Sequence, residues 1–136
     1  MSFFKASTKE EYSLRLAASL AESFATKQPM TLSQVAEEQD ISQKYLEELI
    51  MPFKRKKFVK AIAGRGGGYV WIKDPKKVTV KDIIWLVDET PALALCTTHG
   101  KRCPREKTCK VKIVWRKAQK QMEETLARIT LAELME

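Results

Sequence analysis

Residues 31–69 read TLSQVAEEQDISQKYLEELIMPFKRKKFVKAIAGRGGGY, a stretch that sets two capped helices, a basic run and a glycine-rich hairpin in succession. Thr31 with Gln34 three residues on is a capping-box pattern, in which hydroxyl and amide satisfy helix-start N–H groups that lack intrahelical partners. Leu32, Val35 and Ala36 share one face of the helix this cap predicts. The polar break Glu38-Gln39-Asp40 is followed by Ile41 and then Ser42, a second N-cap. In the helix Ser42 opens, Tyr45, Leu46, Leu49, Ile50 and Phe53 form an apolar stripe. Ser42, Gln43, Lys44, Glu47 and Glu48 are left on the opposite side, near its start. A short helix, a tight turn and a second helix with a polar N-terminal face suit entry into a DNA major groove. Pro52 removes a backbone bond, so the spacing predicts a kink or end near Ile50 or Met51, with Phe53 to Lys57 as a separate turn.

Lys54-Arg55-Lys56-Lys57 gathers four cations where the helix ends, a placement that suits both the negative end of the helix dipole and DNA phosphates. Two β-rich runs, Phe58 to Ile62 and Tyr69 to Ile72, flank Gly64-Arg65-Gly66-Gly67-Gly68. The turn between them needs backbone angles that glycine adopts cheaply, which gives a hairpin with Arg65 at its tip. A phosphate loop is the rival reading, but the Gly-Lys-Ser/Thr ending is missing and the segment runs from strand to strand. The stretch therefore reads as a winged helix-turn-helix.

The rest of the 136 residues extends this head. Its 44% hydrophobic content supports a core, and a formal charge of +8 points to a polyanionic partner. No apolar run has membrane-spanning length and the N-terminus lacks a secretory pattern, so a cytoplasmic protein is expected. Thr8 and Glu11 suggest a capping box ahead of a helix in which Tyr12, Leu16, Leu20 and Phe24 repeat every four residues. Thr79 should cap a helix from about Val80 to Asp88, with Ile83, Ile84 and Val87 buried. After Val111 a long helix carries Val114, Trp115, Ala118, Met122 and Leu126 as an apolar stripe. Such a stripe needs something to cover it, either the first helix of the same chain or a second subunit. Thr130 is placed to cap a last short turn, Leu131 to Met135. The fold class expected is mainly α with a small β-hairpin wing, organised as a DNA-binding domain over residues 1–78. Residues 79–136 would then supply a connecting helix, a cysteine loop and a dimerisation helix.

That loop, Pro91 to Lys110, has no periodicity and holds all three cysteines and the only histidine. Three thiols at Cys96, Cys103 and Cys109 do not make a disulfide framework. Clustered in a flexible loop, they suit metal or redox chemistry. An iron-sulfur cluster, a structural zinc with His99 as fourth ligand, and free redox-active thiols all remain open on the residues alone. The five- and six-residue intervals lack the tight Cys-x2-Cys knuckle usual for zinc.

These motifs together resemble the IscR/NsrR/RirA family of bacterial iron-sulfur winged-helix regulators, the Rrf-two family. The matching residues are Ser7-Thr8-Lys9 before Tyr12, the segment Leu32 to Leu49, Val59-Lys60, Gly64 with Gly66-Gly67-Gly68-Tyr69, Val78-Thr79 before Asp82, the three cysteines, and Ile129-Thr130-Leu131-Ala132. The resemblance implies a homodimeric transcription regulator that binds double-stranded operator DNA, with a 2Fe-2S or 4Fe-4S cluster in the cysteine loop modulating its affinity. Carried over by position, DNA-contacting roles fall on Ser42, Lys44, Tyr45, Glu47 and Glu48. Gln43 beside them and Lys54, Arg55 and Arg65 are added by charge and placement. The family's wing arginine falls on Ala63, for which Arg65 can substitute. Two family glycines fall on Asp40 and Lys57. The histidine that completes the site in IscR-like members is Lys112 here, a poor ligand while charged. In NsrR-like members the fourth ligand is a carboxylate from the other subunit, at the position of Glu11, and His99 is the rival within the chain.

The reading is thus a dimeric repressor sensing redox state, iron or nitric oxide through a cluster on Cys96, Cys103 and Cys109. Alternatives are a winged-helix regulator sensing through thiols or zinc, and a zinc-stabilised protein-interaction adaptor. One histidine leaves no catalytic set for an enzyme.

Overall fold

The computed structural model describes residues 7–88, 91–98 and 102–135. Five helices occur in these segments: α1 (Thr8–Thr26), α2 (Leu32–Gln39), α3 (Gln43–Arg55), α4 (Val80–Val87) and α5 (Lys112–Arg128). Strands β1 (Val59–Ile62) and β2 (Gly68–Trp71) form one antiparallel hairpin in which Val59 faces Trp71 and Ile62 faces Gly68. Short 3-10 turns cover Leu95–Thr97 and Leu131–Met135.

Local caps set most of these boundaries. Thr31 and Gln34 make the expected reciprocal box, Ser42 Oγ accepts from Tyr45 N–H, and Thr79 pairs with Asp82 in a further box. Thr130 caps the last turn, its N–H bonded to Glu133 Oε2 at 2.6 Å. At the first helix the cap is one residue earlier than expected. Ser7 is the N-cap and Glu10 the reciprocal residue, with Glu10 Oε2 accepting from Ser7 N–H at 3.0 Å. Both register choices fit a Ser/Thr-x-x-Glu pattern, and the extended backbone needed of a cap falls on Ser7.

The second departure is Pro52. α3 runs through it without a break, ending only at Arg55. Proline costs that helix the N–H bond to the Glu48 carbonyl, yet burial of Phe53 three-quarters of a turn past Ile50 keeps the helix continuous. Phe53 packs within 6.0 Å of Phe58 and within 5.9 Å of Trp71. These aromatic contacts outweigh one lost bond.

A single core contains Leu16 and Leu20 of α1, Val35, Leu46, Ile50 and Phe53 of the helix-turn-helix, Trp71 of the wing, Ile83 and Val87 of α4, and Leu131. The C-terminal turn is tied back by backbone bonds from Leu131 N–H to Val78 O at 2.7 Å and from Ala132 N–H to Pro75 O at 3.1 Å. The wing is held as firmly. Met30 and Tyr69 exchange backbone bonds of 3.0 and 2.7 Å, so the entry to α2 acts as a short third strand beside β2. Gly68 permits that approach: a Cβ there would lie 2.5 Å from the Met30 carbonyl oxygen, on a backbone with φ of +142°.

Candidate nucleic-acid interface and cysteine loop

Ser42, Gln43 and Lys44 are exposed on the first turn of α3, with Glu47 exposed one turn on, while Leu46, Leu49, Ile50 and Phe53 fill the core face. The amphipathic split read from the sequence is therefore the split in the structure. Tyr45 lies between the two faces, half-buried, its ring edge-on to Tyr12 of α1 at 5.9 Å. Asp40, at the turn, holds the left-handed conformation with φ of 53° that places the two helices at their angle. Gln39 Nε2 donates to Ser19 Oγ at 2.9 Å and anchors this turn on α1.

The other candidate contacts spread around this face. Lys54 and Arg55 are exposed on the last turn of α3, with Lys54 Nζ 5.8 Å from the Tyr69 ring of the wing. Arg65 is exposed at the wing tip between Gly64 and Gly66, both at positive φ. Ala63 is exposed and offers no charge. Glu48 and Arg55, both exposed and seven residues apart on one helical face, also line an open cleft with Lys9 and Asp88, where α1, α3 and α4 meet.

The cysteine loop follows α4. Cys96 sits in the 3-10 turn, and Cys103 and Cys109 flank two tight turns in which Cys103 O accepts from Glu106 N–H at 3.0 Å and Arg105 O accepts from Cys109 N–H at 2.8 Å. All three are half-buried with free thiols. Among the described residues no three His, Cys, Asp or Glu side chains are gathered closely enough to hold a metal ion. His99 lies outside the described residues. Glu11 is exposed, and with capping assigned to Glu10 its carboxylate meets, among the described residues, Arg15 Nη2 at 3.4 Å. By donor chemistry three thiols in one loop fit an iron-sulfur cluster or zinc.

The residue that fixes the loop was not singled out in the sequence. Gln119 is the only buried residue recorded on α5. Its Oε1 accepts from Leu93 N–H at 3.0 Å and its Nε2 donates to Pro91 O at 3.0 Å. At the far end, Lys112 Nζ donates to Glu106 O at 2.5 Å and Arg116 Nη2 meets Glu106 Oε1 at 2.9 Å. The signal available in the sequence is the spacing Trp115, Gln119, Met122, where an amide interrupts an apolar stripe. Along α5 and its approach, Val111, Ile113 and Val114 are each more than half exposed. Of the stripe itself Val114 is uncovered by its own chain, while Trp115, Ala118, Met122 and Leu126 are half-buried.

One carboxyl is perturbed near the junction of α1 and α4. Glu10 has its pKa raised from the ordinary 4.5, chiefly by burial and then by a hydrogen bond with Asp88.

Among the described residues no helix is long and apolar enough to cross a membrane. Residues 6–136 match the family described as Rrf2, iron-dependent transcriptional regulator. Protein rrf2 of Nitratidesulfovibrio vulgaris (Hildenborough) is 30% identical over 131 residues, covering 96% of this chain and 87% of that protein. The regulator IscR of Sodalis glossinidius is 34% identical over 110 residues, 80% of this chain and 66% of its own length. The chain therefore spans just under two thirds of that relative. T. potens IscR superposes with a TM-score of 0.78 at 32% identity, over 97% of this chain and 86% of that one. CymR of B. subtilis gives 0.75 at 28% identity, over 97% and 96%. The family and these neighbours are transcription regulators, not enzymes. The chain belongs to the Rrf2 family of transcriptional regulators.

Proposed function

We propose that this protein is a homodimeric repressor whose affinity for operator DNA is tuned by an iron-sulfur cluster held by Cys96, Cys103 and Cys109. The observation that carries the reading is a loop of three free, half-buried thiols, tied by Gln119 to a helix that leaves Ile113 and Val114 exposed near its start. Ser42, Gln43, Lys44, Tyr45, Glu47 and Glu48 would meet the major groove, Lys54 and Arg55 the backbone, and Arg65 the minor groove. Val111, Ile113 and Val114 would pack against a second copy, matching a two-fold operator. Glu11 is the candidate fourth ligand from the partner subunit, since no cap occupies its carboxylate. His99 is the candidate from the same chain. A cluster would supply a group that responds to oxidants, iron supply or nitric oxide. The chain's own part is to hold the loop against α5, so that the loop's conformation bears on the dimer helix and, through α4, on the reading head.

A second reading is favoured by one observation, the absence of a gathered ligand set among the described residues. The neighbour from B. subtilis is described as the global cysteine regulator CymR, and S. aureus CymR has been solved in an oxidized form. On that pattern the three thiols would act through their own oxidation, without a cluster.

An anaerobic absorption spectrum with iron, zinc and sulfide analysis, on wild type and Cys103→Ala, separates the two. Iron with acid-labile sulfide, lost in the variant, supports the cluster. Protein that takes up neither after anaerobic reconstitution leaves the thiol reading. DNA binding is tested separately by Lys54→Ala and Arg55→Ala in salt titrations, where each lost phosphate contact lowers the log–log slope by about 1.

A further inference from the structure

The base of the wing forms a second basic site, at the end of α3 remote from Ser42 and next to Lys54 and Arg55. Lys56, Phe58, Lys73, Lys77, Val78, Asp82, Trp85 and Leu86 line an open groove of about 450 Å³. That volume falls in the range of roughly 300–1,000 Å³ usual for small-molecule sites. Lys56 caps the C-terminal end of α3, and Phe58 and Lys73 lie at the open end of the hairpin, opposite its tip. Thirteen residues of α3 put this end roughly 20 Å from Ser42.

The charge of the groove is one-sided. Lys56, Lys73 and Lys77 make no ion pair with any described carboxylate. The one acid in the wall, Asp82, caps α4, its Oδ2 accepting from Thr79 N–H at 2.9 Å, and leaves three ammonium groups against a single carboxylate. Lys73 Nζ is held 4.0 Å over the Phe58 ring, which fixes one ammonium in place. By contrast, the neighbouring cleft between α1, α3 and α4 balances Lys9 and Arg55 against Glu48 and Asp88 and selects neither sign. Lysines alone would suit a bare anion. Val78, Trp85 and Leu86 add an apolar wall that a bare anion leaves unused, and Trp85 offers a half-buried indole to a planar group.

We propose that this groove binds a phosphorylated small molecule of mononucleotide size, its phosphate on Lys56, Lys73 and Lys77 and its ring system against Trp85. The occupant would touch α3, the wing base and α4 at once, and so brace the wing relative to the reading helix. This assignment is independent of the cysteine loop.

Isothermal titration calorimetry with adenosine monophosphate, adenosine and inorganic pyrophosphate tests it, on wild type, Lys73→Gln/Lys77→Gln and Lys44→Gln/Arg65→Gln. Matched far-UV circular dichroism melts establish that the variants fold. Expected is saturable binding of the nucleotide to wild type, weakened about tenfold or more in the wing-base variant and within about twofold of wild type in the DNA-face variant. Adenosine should bind more weakly than the nucleotide. Absence of saturable binding, equal loss in both variants, or pyrophosphate binding as tightly as the nucleotide would each overturn the proposal. It is also overturned if the wing-base variant loses duplex DNA binding while nucleotide binding is unchanged, which would give these lysines to the DNA backbone.

Discussion

Ser23 Oγ lies 2.7 Å from the backbone nitrogen of Trp71 and accepts its N–H, joining α1 to the outer edge of the wing across 48 positions of sequence. Ser23 in turn donates to Leu20 O at 2.5 Å. Both groups are buried, so Ser23→Ala leaves the Trp71 N–H without a partner and without water. The expected cost is about 1–3 kcal/mol in urea unfolding, the penalty for an unsatisfied buried donor. A change below about 0.5 kcal/mol, within the range of ordinary surface substitutions, would mean that aromatic packing and the Met30–Tyr69 backbone bonds hold the wing without Ser23.

Two left-handed residues offer stability gains. Asp40 has φ of 53° and Lys57 φ of 59°. Lysine has no side-chain device to offset the left-handed penalty, whereas aspartate tolerates it better. Lys57→Gly is therefore expected to stabilise the fold by about 0.5–1 kcal/mol, with a smaller gain for Asp40→Gly. Chemical denaturation of the two single variants and the double variant checks both values and their additivity.

The Glu10 carboxyl predicts a pH dependence. Burial, then the hydrogen bond with Asp88, raises its folded pKa above the ordinary 4.5. The folded state thus binds more protons than the unfolded state between those two values. The associated stability is present in full below the unfolded pKa and is lost as pH rises through the folded pKa. Glu10→Gln keeps an oxygen for the Ser7 N–H and removes the charge facing Asp88. Melting curves should show Tm raised by about 2 °C near pH 7 and a flatter dependence between pH 4 and 7. An unchanged slope would place the proton elsewhere.

How much of this was legible follows from how local each determinant is. The helix-turn-helix was read correctly because Thr31, Gln34, Ser42 and the apolar stripe of α3 act over three or four residues. The glycine wing was legible for the same reason, its first strand beginning one residue later than read and its second lying one residue earlier at both ends. The cap of α1 was misplaced because Ser7 with Glu10 and Thr8 with Glu11 are equivalent as patterns, and only the backbone conformation decides between them. Pro52 was misread because its helix is held by Phe53 against Trp71, a contact eighteen positions away. The cysteine loop was legible as a candidate site by composition. Its anchor was not, because Gln119 reaches back 26 and 28 positions to Leu93 and Pro91.

That anchor gives the last expectation. Gln119 satisfies one donor and one acceptor at the start of the loop, both partly buried, from the middle of α5. Gln119→Leu preserves approximate volume and removes both bonds, at a cost of about 1–3 kcal/mol for the groups left unpaired. Release of Pro91 and Leu93 should free the turn that carries Cys96 first, while Cys103 and Cys109 remain near the Glu106 contacts with Lys112 and Arg116. Timed alkylation of the metal-free protein, read by peptide mass spectrometry, should therefore show faster modification of Cys96 than in wild type, with little change at Cys109. Arg116→Gln should reverse that order of sensitivity, although its exposed ion pair makes the effect smaller. Equal rates at all three thiols in Gln119→Leu would show that the loop moves as one body and that Gln119 does not set its position.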